Sequence, residues 1–175
     1  MAGHNKWSQI KRQKAKTDAQ KSKIFSKFAK IITQEAKKSG GNTNSPALKA
    51  IIDRAKAENM PNDNIDRAIK KATTQATDLE SITYESYGPG GCAIVIEALT
   101  ENRNKAAQEI KHILSVNGFA LAGIGAATWA FEKVAGEWIP KTTVPISAED
   151  GTLLEKLINE LEENDEVQDV YTNAE

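Results

Sequence analysis

The sequence predicts an α+β protein: a helical domain over residues 1–75, then an antiparallel sheet domain over 76–175 with two helices on one face. Three observations predict it. Apolar residues recur at helical spacing as far as Ala72 and alternate at strand spacing afterwards. Glycine, proline and asparagine clusters punctuate the segments. The charge divides at the same boundary: residues 1–75 hold 17 Lys/Arg against 6 Asp/Glu, a net +11, whereas residues 76–175 hold 6 against 18, a net −12. The whole-chain total of −1 conceals this division.

Taken in order, residues 1–22 are polar and lysine-rich, with Trp7 and Ile10 the only large apolar side chains. Such a segment buries too little surface to offset its ordering entropy, so a tail mobile when free is expected. From Ser22, the positions Ile24, Phe25, Phe28, Ile31 and Ile32 fit one helix, ended by Ser39-Gly40-Gly41. Ser45-Pro46 reads as an N-cap followed by proline at the first helical position. The helix it opens carries Leu48, Ile51, Ile52 and Ala55 and stops before Asn59-Met60-Pro61. A third helix from about Asn62 aligns Ile65, Ala68, Ile69 and Ala72, with Asp63 and Asp66 near its positive end. The three stripes predict a small bundle.

After the linker Thr73–Ser81, strands are predicted at Ile82–Tyr87 and Cys92–Leu99, joined through Gly88-Pro89-Gly90-Gly91. Asn102 to Asn117 reads as a helix stopped by Gly118. Thr128–Lys133 and Trp138–Val144 read as strands about a turn at Ala135-Gly136. A helix from Ala148 and a last strand at Val167–Tyr171 complete the pattern. The order β-β-α-β-β-α-β predicts a single antiparallel sheet.

Composition excludes several functions. No apolar run approaches the roughly 20 residues of a membrane-spanning helix, and the charged N-terminus has no secretory h-region. The single cysteine, Cys92, excludes an internal disulfide and points to a reducing compartment, with the cytoplasm as default. Two histidines and one cysteine offer no metal-ligand spacing, and no catalytic triad or acid pair is present, so no metal, cofactor, small-molecule substrate or enzymatic activity is expected. Cys92 among Ala93, Ile94 and Val95 reads as a buried thiol, and His112 as a solvent-edge residue. The acidic run Glu160–Glu166 reads as a solvated face.

The candidate site is the cationic series Lys6, Lys11, Arg12, Lys14, Lys16, Lys21, Lys23, Lys27 and Lys30, with Trp7 inside it. Neutralising a phosphate backbone releases condensed counterions, which requires cations and no particular fold. Trp7 can stack on an unpaired base. The bland alternative is a solvated tail, or one that docks on the acidic half of its own chain. Arg103, in the polar junction Thr100-Glu101-Asn102-Arg103-Asn104, is a further candidate contact, against helix capping by Thr100 or Asn102 as an equal alternative. Gly88-Pro89-Gly90-Gly91 and Gly123-Ile124-Gly125 do not lead from a strand into a helix N-terminus, so neither reads as a phosphate cradle.

Several segments carry a resemblance. Met1-Ala2-Gly3-His4-Asn5-Lys6-Trp7, Asn59-Met60-Pro61 with Ile65-Asp66-Arg67-Ala68-Ile69-Lys70-Lys71, Tyr84–Gly91, Leu99–Asn104, Pro140–Pro145 and Val167–Tyr171 together resemble the YebC family over nearly the whole chain. The resemblance implies a helical N-terminal domain, ferredoxin-like α+β architecture and no catalytic activity. It also implies a DNA-binding transcriptional regulator or, in other members, a translational activator at the ribosome that relieves stalling at proline-rich stretches. Two departures stand out. A further α+β domain that relatives carry between positions resembling Gly136 and Trp138 is missing, and a loop that reads glycine-serine-valine in relatives is Gly125-Ala126-Ala127 here. The expectation is a nucleic-acid-binding regulator whose partner is DNA or ribosomal RNA, with the ribosome as a further expected partner and no membrane. The alternative of another class is an adaptor between proteins.

Overall fold

The computed structural model describes residues 17–75 and 78–175. They form two compact units, a helical one ending at Glu80 and a sheet one running from Ser81 to Glu175.

The helical unit has three helices: α1 (Asp18–Lys38), α2 (Pro46–Ala57) and α3 (Asn62–Thr74). Helix α1 begins four residues before the expected Ser22, because Thr17 and Gln20 form a capping box. Thr17 Oγ1 accepts from the Gln20 amide at 3.2 Å, and the Thr17 amide donates to Gln20 Oε1 at 2.9 Å. Residues 18–22, assigned to the tail by the sequence reading, are therefore helical. Ser45 holds the N-cap position of α2, but its side chain makes no capping bond, and Pro46 supplies the start. The core is Ile32, Ala36, Leu48, Ala55, Met60, Ile65, Ala68 and Ala72, with Phe25 and Phe28 packed against it. Small residues let α1 and α3 approach closely enough for Thr33 Oγ1 to reach the Ala68 carbonyl at 3.1 Å as well as Ala29 at 2.8 Å.

The sheet unit comprises β1 (Glu80–Tyr87), β2 (Ala93–Thr100), α4 (Arg103–Val116), β3 (Leu121–Ala122), β4 (Phe131–Val134), β5 (Glu137–Pro140), α5 (Ala148–Glu163) and β6 (Val167–Thr172). The expected single sheet is two. One is four-stranded in the order β3-β1-β2-β6, and the other is the hairpin β4-β5. Strand β2 explains the arrangement, being buried on both faces. Cys92, Ile94, Ile96 and Ala98 meet α4 and α5 through Ile110, Leu114, Leu154, Leu157 and Leu161. Ala93 and Val95 on the opposite face meet Ala127, Ala130 and Phe131, with Trp138 and Tyr171 alongside. A strand with two packed faces reads as a continuous apolar run, and the hairpin covers the face away from the helices instead of extending the sheet.

Three details depart from the sequence reading. Thr128–Ala130 is a 3-10 turn ahead of β4, β5 ends at Pro140, and the two-residue β3, paired with β1 at Glu85 and Ser86, has no counterpart in it. In Gly88–Gly91, Gly90 has φ +71, and a Cβ there would lie 2.6 Å from Ile146 Cγ2, so only glycine lets the turn seat against that side chain. The order β3-β1-β2-β6 is that of a ferredoxin-like sheet in which β2-α4-β3 straddles β1.

Candidate nucleic-acid interface

Between Thr17 and Gln75 the helical unit carries 12 Lys/Arg against 6 Asp/Glu. Of the predicted contacts, Lys6, Trp7, Lys11, Arg12, Lys14 and Lys16 lie outside the described residues. Of the other five, Arg103 lies in the sheet unit and four sit on α1. Lys21 is exposed near its start, while Lys23, Lys27 and Lys30 follow at spacings of four and three and so share one stripe. The stripe lies opposite the Ile32 face, as amphipathicity requires, yet all three side chains are half-buried. Farther along the helix, Lys37 pairs with Asp78, and Lys38 Nζ lies 3.6 Å from Glu35.

Apart from Lys21, the open cations are elsewhere, at positions the sequence reading passed over. Lys49 and Lys56 on α2 and Arg67, Lys70 and Lys71 on α3 are all exposed. The signal for them was present, since each falls between apolar positions of its own helix. Arg54 is held differently, its guanidinium 5.8 Å from the centre of the Phe28 ring.

In the sheet unit, Arg103 is the exposed first residue of α4. Its neighbours are occupied by capping: Asn102 Oδ1 accepts from the Lys105 amide at 3.1 Å, and Thr100 Oγ1 accepts from the Asn102 amide at 2.9 Å. The capping alternative therefore holds for Thr100 and Asn102. Arg103 belongs to the sheet unit and Lys21, Lys23, Lys27 and Lys30 to the helical one. Cys92 is buried, which pushes its thiol pKa up and keeps it from acting as a nucleophile. His112 is exposed on α4. The acidic run is not wholly solvated: Glu166 is buried with Lys105 Nζ at 3.4 Å, and Glu160 accepts from Asn117 Nδ2 at 2.7 Å. Among the described residues, no three His, Cys, Asp or Glu side chains are grouped to hold a metal ion.

The feature that sequence reasoning missed is the loop Gly123–Thr128. Its amides converge on one anion, the buried carboxylate of Glu85. Oε2 accepts from Gly125 at 2.7 Å, and Oε1 accepts from Ala127 at 2.9 Å and from Thr128 at 2.6 Å. Burial alone pushes the carboxyl pKa up, but the amides of Thr128, Gly125 and Ala127 outweigh it and hold the group below the usual carboxylate range. The loop is thus an anion cradle filled by the protein's own side chain. On its outer side the Tyr87 hydroxyl donates to the Ala126 carbonyl and accepts from Trp129 Nε1 at 2.9 Å. Trp129 and Tyr87 remain 57% and 38% exposed, and Ile124 at the tip is fully exposed. This aromatic pair is open to solvent beside a loop whose amides Glu85 holds.

Fold and site together define a two-unit α+β protein, with a basic helical unit and an acidic sheet unit that displays exposed aromatics. Residues 5–75 match the model of the TACO1/YebC protein N-terminal domain, and residues 79–136 and 132–174 match that of the TACO1/YebC second and third domain. The chain belongs to the TACO1/YebC family. It is 39% identical to a "probable transcriptional regulatory protein" of Thermoanaerobacter pseudethanolicus over 240 aligned positions, covering 100% of this chain and 97% of the relative. A protein of the same designation from Thermotoga maritima is 34% identical over 238 positions, covering 100% of this chain and 94% of that one. The crystal structure of a conserved hypothetical protein from Aquifex aeolicus superposes with a TM-score of 0.85 at 30% identity, covering 98% of this chain and 97% of that one. Because 240 positions are aligned and this chain has 175 residues, at least 65 positions of the Thermoanaerobacter relative have no counterpart here. The second-and-third-domain model breaks between 132 and 136, at the β4-β5 turn, the neighbourhood in which the resemblance places the missing domain.

Proposed function

We propose that the protein is a cytoplasmic regulator of gene expression that acts by binding nucleic acid and not by catalysis, with DNA in a transcriptional role as the first reading. The observation that carries it is the net charge of +6 over residues 17–75, with six of their cations, Arg54 among them, exposed on α2 and α3. The transcriptional designation of the relatives supports the choice of process. Lysine-dominated contacts give affinity through phosphates and little sequence readout. Lys21, Lys23, Lys27, Lys30 and the cations of residues 1–16 contribute to the same term.

A second reading, a translation factor bound to ribosomal RNA, is favoured by the Tyr87–Trp129 pair. Exposed aromatic faces stack on unpaired bases, which structured RNA offers and an intact duplex does not. Titrating the full-length chain against duplex DNA, structured RNA and ribosomes at several salt concentrations separates the two. The transcriptional reading expects tightest binding to duplex DNA, with a steep negative dependence on salt. Co-sedimentation with ribosomes and preference for RNA support the second reading. Binding to no polynucleotide at physiological ionic strength overturns both.

A further inference from the structure

We propose that the outward face of α3, carrying Arg67, Lys70 and Lys71, is the principal backbone-phosphate contact of the helical unit. This rests on the nucleic-acid reading and names its contact surface. Helix α3 buries Ile65, Ala68 and Ala72, and Ile69 packs beside them. Helical periodicity then turns Arg67 and Lys70 away from the core and sets Lys71 on its flank, at spacings of three and four from Arg67 that place the three side by side. All three are exposed.

Availability separates this face from α1. Among the described residues Lys70 and Lys71 make no ion pair, although Asp66 stands about one turn and Asp63 about two turns earlier on the same helix. Their charge is uncommitted, and a phosphate gains it without breaking anything. Lys23, Lys27 and Lys30 are half-buried and already engaged, and Lys37 and Lys38 are paired with carboxylates. Those cations must exchange one interaction for another. Arg67 is also pre-oriented. Its Nη2 donates to Asn64 Oδ1 at 2.7 Å and its Nε to the Asp63 carbonyl at 3.3 Å, which holds the guanidinium plane and leaves three further N–H groups outside these two bonds on an exposed side chain. An arginine held in one geometry loses less rotamer entropy when it grips a phosphate.

The test uses the full-length chain and two triple variants, R67Q/K70Q/K71Q and K23Q/K27Q/K30Q, titrated with duplex DNA and with structured RNA between 50 and 200 mM salt. Each lost phosphate contact reduces the slope of log K against log salt by about 0.9 on B-DNA. The α3 variant is expected to bind at least tenfold more weakly at about 100 mM salt, with a slope shallower by about 2 to 3, equally on unrelated sequences. The α1 variant is expected to keep more of the parental slope. K71Q alone, too mild to disturb folding at an exposed site, is expected to lower the slope by about 1. An α3 variant with the parental slope, or an α1 variant that loses more, overturns the assignment while the nucleic-acid reading stands. Parent protein that binds neither polymer refutes that reading itself.

Discussion

Glu85 is the residue whose chemistry reaches furthest. A carboxylate accepting three amides stabilises the loop only while ionised, and its lowered pKa sets the sign of the pH dependence. Its contribution is complete above the unfolded carboxyl value of about 4.3 and is lost as pH falls through the lower folded value. Glu85→Ala leaves three donors short of a partner and should cost about 2–3 kcal/mol at pH 7, read from urea unfolding. Glu85→Gln retains one acceptor oxygen and should cost less. The stability gap between parent and Glu85→Gln should narrow between pH 5 and pH 3; a gap that widens toward acid contradicts the ionised-acceptor account. Nothing in the sequence announced this role. Glu85 sits in a strand amid polar neighbours, and its partners lie 40 or more residues away and are backbone amides, which carry no side-chain signature. Because Glu85 grips main chain, these hydrogen bonds do not themselves depend on which side chains stand at 126 and 127, where the resemblance places serine and valine, although Ala127 also packs in the core against Ala93 and Val95.

Among the elements, the helices were the most legible part of the chain, since apolar spacing and stops such as Gly118 act locally. The start of α1 was misread because its capping box lies ahead of the first apolar residue. The second sheet was misread for a different reason: periodicity distinguishes strand from helix but does not say which strand pairs with which. The β4-β5 turn places Ala135 at φ +51 and Gly136 at φ +82, the left-handed region twice over. A non-glycine residue there is strained, so Ala135→Gly should stabilise the protein by about 0.5–1 kcal/mol, measured by denaturant midpoint. A destabilised variant would show that Ala135 is held by contacts worth more than its backbone strain. The hairpin is anchored from below by Glu97, whose Oε1 accepts from Trp138 Nε1 at 2.6 Å and Thr83 Oγ1 at 2.9 Å, with Lys133 Nζ 5.0 Å from the centre of the Trp138 ring.

At the scale of the molecule, each unit has its own core, and the two can be weakened separately. Ile32→Ala and Leu157→Ala, both at fully buried positions, should each cost about 2–5 kcal/mol. In calorimetry the first should lower only the helical unit's transition and the second only the sheet unit's; equal shifts of both would mean that the units unfold as one. The charge division between the halves was readable from the sequence, because it is a count. Which cations are open was not, because exposure depends on how helices pack: the lysines of α1 drew notice by density, and those of α3 stand clear by geometry. The tight turn at Ala135-Gly136 has an evolutionary consequence. Since the strands it joins end side by side at the surface, a folded module can be grafted in or excised at that point without moving the flanking residues. The family can thus vary its number of modules while this scaffold keeps its outline.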